Sequence, residues 1–212
     1  MISQFNIVDI LLQYFCLLFS LSVHEASHAA MANRCGDPTA RLLGRMTLNP
    51  LAHIDPIGTV AMPLLMMVTR FPFMFGWAKP VPVNPGNFRN MRNGEILVSL
   101  AGPGSNLFLA ICTALLLRFV VTVFGDQNAA VPILLYLAAI NIGLMLFNLI
   151  PVHPLDGSHV LYHLLPRGGQ EMMERIGPYG LIIVLLVARP IIQVPFNILF
   201  VLLMSFAGLG RA

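Results

Sequence analysis

The sequence predicts an all-α polytopic membrane protein of about four to six transmembrane helices. Three observations carry this: a composition too apolar for water, long uninterrupted apolar runs, and basic residues collected at particular loops. Of the 212 residues, 57% are hydrophobic and 10% charged, where a soluble domain carries about a quarter charged residues. A chain of this length cannot hide so much apolar surface in its own core. The formal charge of +3 is scattered along the chain. It forms no basic stripe of the kind that binds nucleic acid, so a nucleic-acid partner is not expected. Cys16, Cys35 and Cys112 include no C-x-x-C pair. Cys16 and Cys112, inside apolar runs, read as small core residues.

The elements follow in order. Four apolar stretches, 7–31, 96–124, 131–150 and 180–207, are each long enough to cross about 30 Å of hydrocarbon. Residues 1–6 lack Lys and Arg, so the first stretch reads as a retained helix rather than a cleaved leader. Pro190 and Pro195 are expected to kink or break the last. Two shorter runs, 57–68 and 155–165, suit half-helices or re-entrant pieces buried against protein. Trp77–Pro85 alternates prolines with Val81 and Val83 and reads as extended chain or an edge strand. Residues 57–85 are therefore expected to form a re-entrant or extended segment on the cytoplasmic side. Arg34, Arg41 and Arg45 follow the first helix, and Lys79, Arg89 and Arg92 precede the second. The loop near 125–130 holds Asp126 and no basic residue. The positive-inside rule places residues 34–93 in the cytoplasm and the N-terminus outside; Arg118, at odds with it, can snorkel. Residues 1–212 are read as one membrane-embedded domain.

The strongest chemical signal is His24-Glu25-Ala26-Ser27-His28, an H-E-x-x-H pattern inside the first apolar run. One helical turn sets the two histidines on one face, about 5–6 Å apart at Cβ, within reach of one metal. Glu25 lies beside them and can take a proton from a water held there. The pattern also arises by chance in soluble helices. In a transmembrane helix, however, such ionisable groups are costly unless they pair, bind something or line a wet cavity. A catalytic zinc takes three protein ligands and keeps one position open. The third is expected from Asp156, which follows the proline-broken end of the third long run in Asn148-Leu-Ile-Pro151-Val-His153-Pro154-Leu155-Asp156-Gly157.

H-E-x-x-H in one transmembrane helix, followed far downstream by N-x-x-P-x-x-P-L-D-G, resembles the site-2 protease family of intramembrane zinc metalloproteases. The resemblance takes in Gly102-Pro-Gly-Ser-Asn106 and the segment 76–85 and is nearest the compact prokaryotic branch; no stretch is long enough for a PDZ domain. It implies Zn2+ held by His24, His28 and Asp156, Glu25 as catalytic base, and Asn148 as a group that helps hold the substrate or its oxyanion. It also implies single-span membrane proteins as substrates, within the lipid bilayer of a prokaryotic inner membrane, with the site towards the cytoplasm. An amide beside a metal can donate to developing negative charge, and an interhelical hydrogen bond remains an equal reading of Asn148. Asn106 reads first as structural, because Gly102 and Gly104 point to close helix packing. His159 and His163 share a helical face with Asp156 and form a rival ligand set. His53 and His153 read as loop or supporting groups, His153 beside Asp156. A polytopic transporter and a noncatalytic zinc-binding scaffold are the alternatives from other classes.

Overall fold

The structure, a computed structural model, describes residues 7–69 and 76–209, and among these it is helical with no β-strand. Helix α1 (Ile7–Cys35) is followed by the single turn α2 (Thr39–Leu42). A 3-10 turn at Pro50–His53 and a wide turn at Pro56–Ala61 lead into α3 (Met62–Thr69). The chain resumes at Gly76 as an extended strap, turns at Pro85–Asn87, and enters α4 (Met91–Phe124). Then come α5 (Ala130–Asn148), α6 (Asp156–Leu164), α7 (Arg167–Ile176) and α8 (Gly180–Ala207). Four helical stretches are long and apolar enough to span a membrane: Ile7–Cys35, Met91–Phe124, Ala130–Asn148 and Ala188–Ala207. The protein is thus an all-α polytopic membrane protein.

Helix α4 is the hub, packing against α1, α5, α6 and α8. Asn90 caps its start by accepting from Asn93 N at 2.9 Å, and Gly125, at φ +86°, closes its end. The α4–α5–α8 seam is built from small and branched residues: Ala110, Ala114 and Leu117 against Leu134, Ala138 and Ile142, with Leu203 and Ala207 behind. Small side chains let helix backbones approach closely where lipid supplies no hydrophobic drive. The outward faces carry Phe108, Leu115, Phe119, Leu186 and Val201, all exposed, as a lipid-facing surface should.

Two expectations change. Helix α8 runs through Pro190 and Pro195 without a break; transmembrane helices tolerate proline because neighbouring groups re-satisfy the freed carbonyls. Cys16 is buried, but Cys112 is exposed on α4, where lipid, not a core, receives an apolar side chain.

The strap is held by named bonds rather than by a sheet ladder. Trp77 N donates to Gly58 O at 3.2 Å and Lys79 N to His53 O at 2.8 Å. Thr59 Oγ1 donates to Trp77 O at 2.8 Å, and Arg45 Nη2 to Lys79 O at 2.8 Å. Asp37, fully buried just past α1, accepts from Asn84 N at 2.7 Å and Asn87 Nδ2 at 2.8 Å, and also from Thr39. Burial pushes the Asp37 carboxyl up, but its hydrogen bonds from Asn87, Thr39 and Asn84 outweigh this and hold it below the usual carboxylate range. The strap is thereby pinned across the end of α1 that carries the H-E-x-x-H pattern.

Candidate metal centre

Helix α1 presents His24 and His28 one turn apart, both buried, with their Nε2 atoms 3.0 Å from each other. Asp156, the first residue of α6, reaches them from the far end of α5: its Oδ2 lies 3.3 Å from His24 Nε2 and 3.4 Å from His28 Nε2. The chain delivers Asp156 by a tight return after α5. Val152 N donates to Ile150 O at 2.9 Å and Leu155 N to Val152 O at 3.0 Å. Gly157 backs directly onto Leu149, where an added Cβ would fall 2.3 Å from the Leu149 carbonyl oxygen. His163, further along α6, pairs with Glu95 of α4, fastening the helix that carries Asp156 to the hub.

The donor pattern decides what this cluster can hold. His24 Nδ1 lies 2.6 Å from Asn106 Oδ1, and His28 Nδ1 lies 2.7 Å from the Val98 carbonyl oxygen. Both partners accept only, so each ring carries a proton on Nδ1 and, as the neutral imidazole that a metal requires, turns its Nε2 lone pair inward. In that form two lone pairs and a carboxylate oxygen face one another, and Asp156 Oδ2 is buried without a hydrogen-bond partner. Such an arrangement is repulsive unless a cation sits among the three. Ligand atoms about 2.0–2.1 Å from a tetrahedral zinc stand roughly 3.3 Å from one another, which the observed 3.0, 3.3 and 3.4 Å approximate. The space is kept open by Gly102: a Cβ there would lie 2.4 Å from His28 Nε2 and 2.6 Å from His24 Nε2. The residues therefore fit a zinc ion, with Asn106 Oδ1 and the Val98 carbonyl oxygen fixing the two imidazoles as metal ligands require.

Glu25, half-buried next to this cluster, accepts from Val81 N of the strap at 2.9 Å through Oε2. Asn148 stands at the last turn of α5, and its Nδ2 donates back to Leu144 O at 3.0 Å; among the described residues its side chain makes no bond to the cluster. The rival ligand set is not assembled. Asp156 turns to α1, His163 to Glu95, and the ring of His159 faces that of His153 with centroids 6.1 Å apart. Burial pushes the His159 imidazole below its ordinary range. Among the described residues, the grouping of three or more ligating side chains is His24, His28 and Asp156. His53 is a loop residue, its Nε2 2.9 Å from Thr47 O. Gly104 has nothing within 4 Å of an added Cβ, so of the two glycines expected at a close contact only Gly102 makes one.

Two participants escaped the sequence reading. Asn141 of α5, fully buried, receives Asn106 Nδ2 at 2.9 Å on its Oδ1. Glu95 is the partner of His163. The signal for Asn141 was present, since a lone amide in the middle of an apolar run is costly without a partner.

The fold and site define a class: helical membrane proteins with a cluster of two buried histidines and one aspartate that could hold a metal ion, and a glutamate beside it. The chain belongs to peptidase family M50. The profile described as Peptidase family M50 matches residues 120–188, the part that carries Asn148 and Asp156. YwhC of Bacillus subtilis, described as a candidate zinc metalloprotease, is 40% identical over 174 residues, covering 80% of this chain and 76% of its own. Rip2 of Mycolicibacterium smegmatis, described likewise, is 30% identical over 196 residues, or 91% of this chain and 73% of its own. The zinc metalloprotease MJ0392 of Methanocaldococcus jannaschii is 28% identical over 155 residues, 72% of this chain and 34% of its own. No solved structure gives a significant match.

Proposed function

We propose that the protein is an intramembrane zinc metalloprotease that hydrolyses peptide bonds in or near single-span segments of other membrane proteins. The carrying observation is the convergence of His24 Nε2, His28 Nε2 and Asp156 Oδ2 beside Glu25, which shares the helix of the two histidines. His24, His28 and Asp156 hold the ion. Zinc, when bound, brings the pKa of its water towards about 7 and polarises a scissile carbonyl.

Glu25, beside these ligands, would serve as the group that takes up a proton from the attacking water and gives it to the leaving amine. Its contact with Val81 N places the base against the strap, so a substrate unwound alongside residues 77–83 is presented to it. A membrane amide such as Asn148 supports the substrate once freed from Leu144 O. Water reaches the site past Asp156, whose side chain is 20% exposed against 6% for His24. Arg34, Arg41, Arg45, Lys79 and Arg89 all lie on segments joined to this end of α1, which supports a cytoplasmic-side site in a prokaryotic inner membrane. The partners are then the lipid bilayer and single-span membrane proteins, not nucleic acid.

The test is zinc content together with cleavage of a transmembrane substrate, for wild type and Glu25→Gln in detergent. The expected result is about one zinc per chain in both and cleavage by wild type alone. Full activity in Glu25→Gln with zinc retained would overturn the base assignment, and a wild type that takes up no zinc would overturn the metal centre.

A further inference from the structure

The hydrogen bonds behind His24 form a chain that ends on a backbone carbonyl, and that end sets the direction of every link. Asn141 Nδ2 lies 2.8 Å from Leu137 O, an acceptor with no alternative role, and 2.9 Å from Ser20 Oγ. The amide nitrogen of Asn141 must therefore face Leu137 and Ser20, leaving Oδ1 towards Asn106. Asn106 answers with Nδ2 at 2.9 Å, which turns its own Oδ1 to His24 Nδ1 at 2.6 Å. An Asn106 flipped end for end would set an N–H against Nδ1 and drive the His24 proton to Nε2, into the space between the ligands. Ser20, Asn106 and Asn141 are all 0% exposed, so the chain is closed off from solvent.

We propose that Asn141 is a positioning residue for the metal centre, setting the tautomer and ring orientation of His24 through Asn106. Helix α5 then contributes to metal binding at both its ends of influence: Asn141 from behind His24, and Asp156 beyond its C-terminus. An interhelical hydrogen bond alone contributes little in membrane proteins and acts on folding. A link that orients a metal ligand acts on metal affinity, typically 10–100-fold.

The inference rests on the metal reading of the site, and zinc titration by chelator competition separates the two. No binding by wild type sinks that reading; wild-type binding with undiminished affinity in Asn141→Leu sinks this one alone. The expected result for Asn141→Leu is zinc affinity about 10–100-fold weaker at unchanged helical content, with Asn141→Val giving the same loss if leucine is not accommodated. Asn106→Asp supplies the decisive control. A carboxylate presents an acceptor to Nδ1 whichever way it turns, so Asn106→Asp/Asn141→Leu should recover to within a few-fold of wild type. A double variant as weak as Asn141→Leu would assign Asn141 to packing and overturn the proposal.

Discussion

At the residue scale the centre is legible where spacing alone implies it and opaque where direction matters. H-E-x-x-H in an apolar run places two imidazoles on one face, and no other reading explains their cost in lipid as economically. What spacing cannot convey is which ring nitrogen carries the proton. That depends on Val98 O and Asn106 Oδ1, supplied by a helix some seventy to eighty residues downstream. Gly102 is the sharpest case, since from sequence it reads as a packing glycine, whereas its missing Cβ leaves the room that the two Nε2 atoms occupy. Gly102→Ala puts a methyl 2.4 Å from His28 Nε2, inside any tolerable contact, and should lower zinc affinity by about 100-fold or more. Gly104→Ala, open on all sides, should bind zinc as wild type does. Equal affinity in the two variants, measured by chelator competition, would show that Gly102 does not bound the site.

At the element scale the strap matters most, and here the sequence conveyed shape without attachment. Alternating prolines predict extended backbone because proline fixes φ and removes donors. They say nothing of the buried Asp37 that ties Asn84, Asn87 and Thr39 to the end of α1. Asp37 binds no proton in the fold at a pH where the unfolded side chain, with its pKa of about 4, already takes one up. Its stabilisation is thus complete above that unfolded value and is lost as pH falls through the lower folded value. Asp37→Ala leaves buried N–H groups unpaired and should cost about 1.5–3 kcal/mol at neutral pH. The gap in thermal midpoint between wild type and Asp37→Ala, followed in detergent, should be constant above about pH 5 and shrink below about pH 4. A gap that is flat down to about pH 2 would mean that the carboxylate charge contributes nothing.

At the scale of the whole molecule, length and hydropathy yielded the spans, because crossing hydrocarbon demands about twenty apolar residues and little else does. The prolines of α8 misled for the same reason: their helix is judged by lipid and neighbours rather than by propensity. The course of the chain between residues 56 and 79 is the part that hydropathy leaves open; residues 70–75 lie outside the described residues, and hydrogen bonds on either side of them bear on it. The helical run Pro56–Thr69 rises only about 20 Å, short of about 30 Å of hydrocarbon. Trp77 and Lys79 then bond back to Gly58 and His53, so the excursion returns to the end it left. In a cysteine-free background, Ile54→Cys and Lys79→Cys should react with an impermeant maleimide from one face of sealed membrane vesicles. Gln127→Cys, in the turn between α4 and α5, should react from the other. With α1 and α4 each crossing once, this pattern keeps the strap and both termini of the excursion beside the metal ligands. Labelling of residues 54 and 79 from opposite faces would instead make the excursion a fifth span, and the Val81–Glu25 contact would have to be abandoned with it.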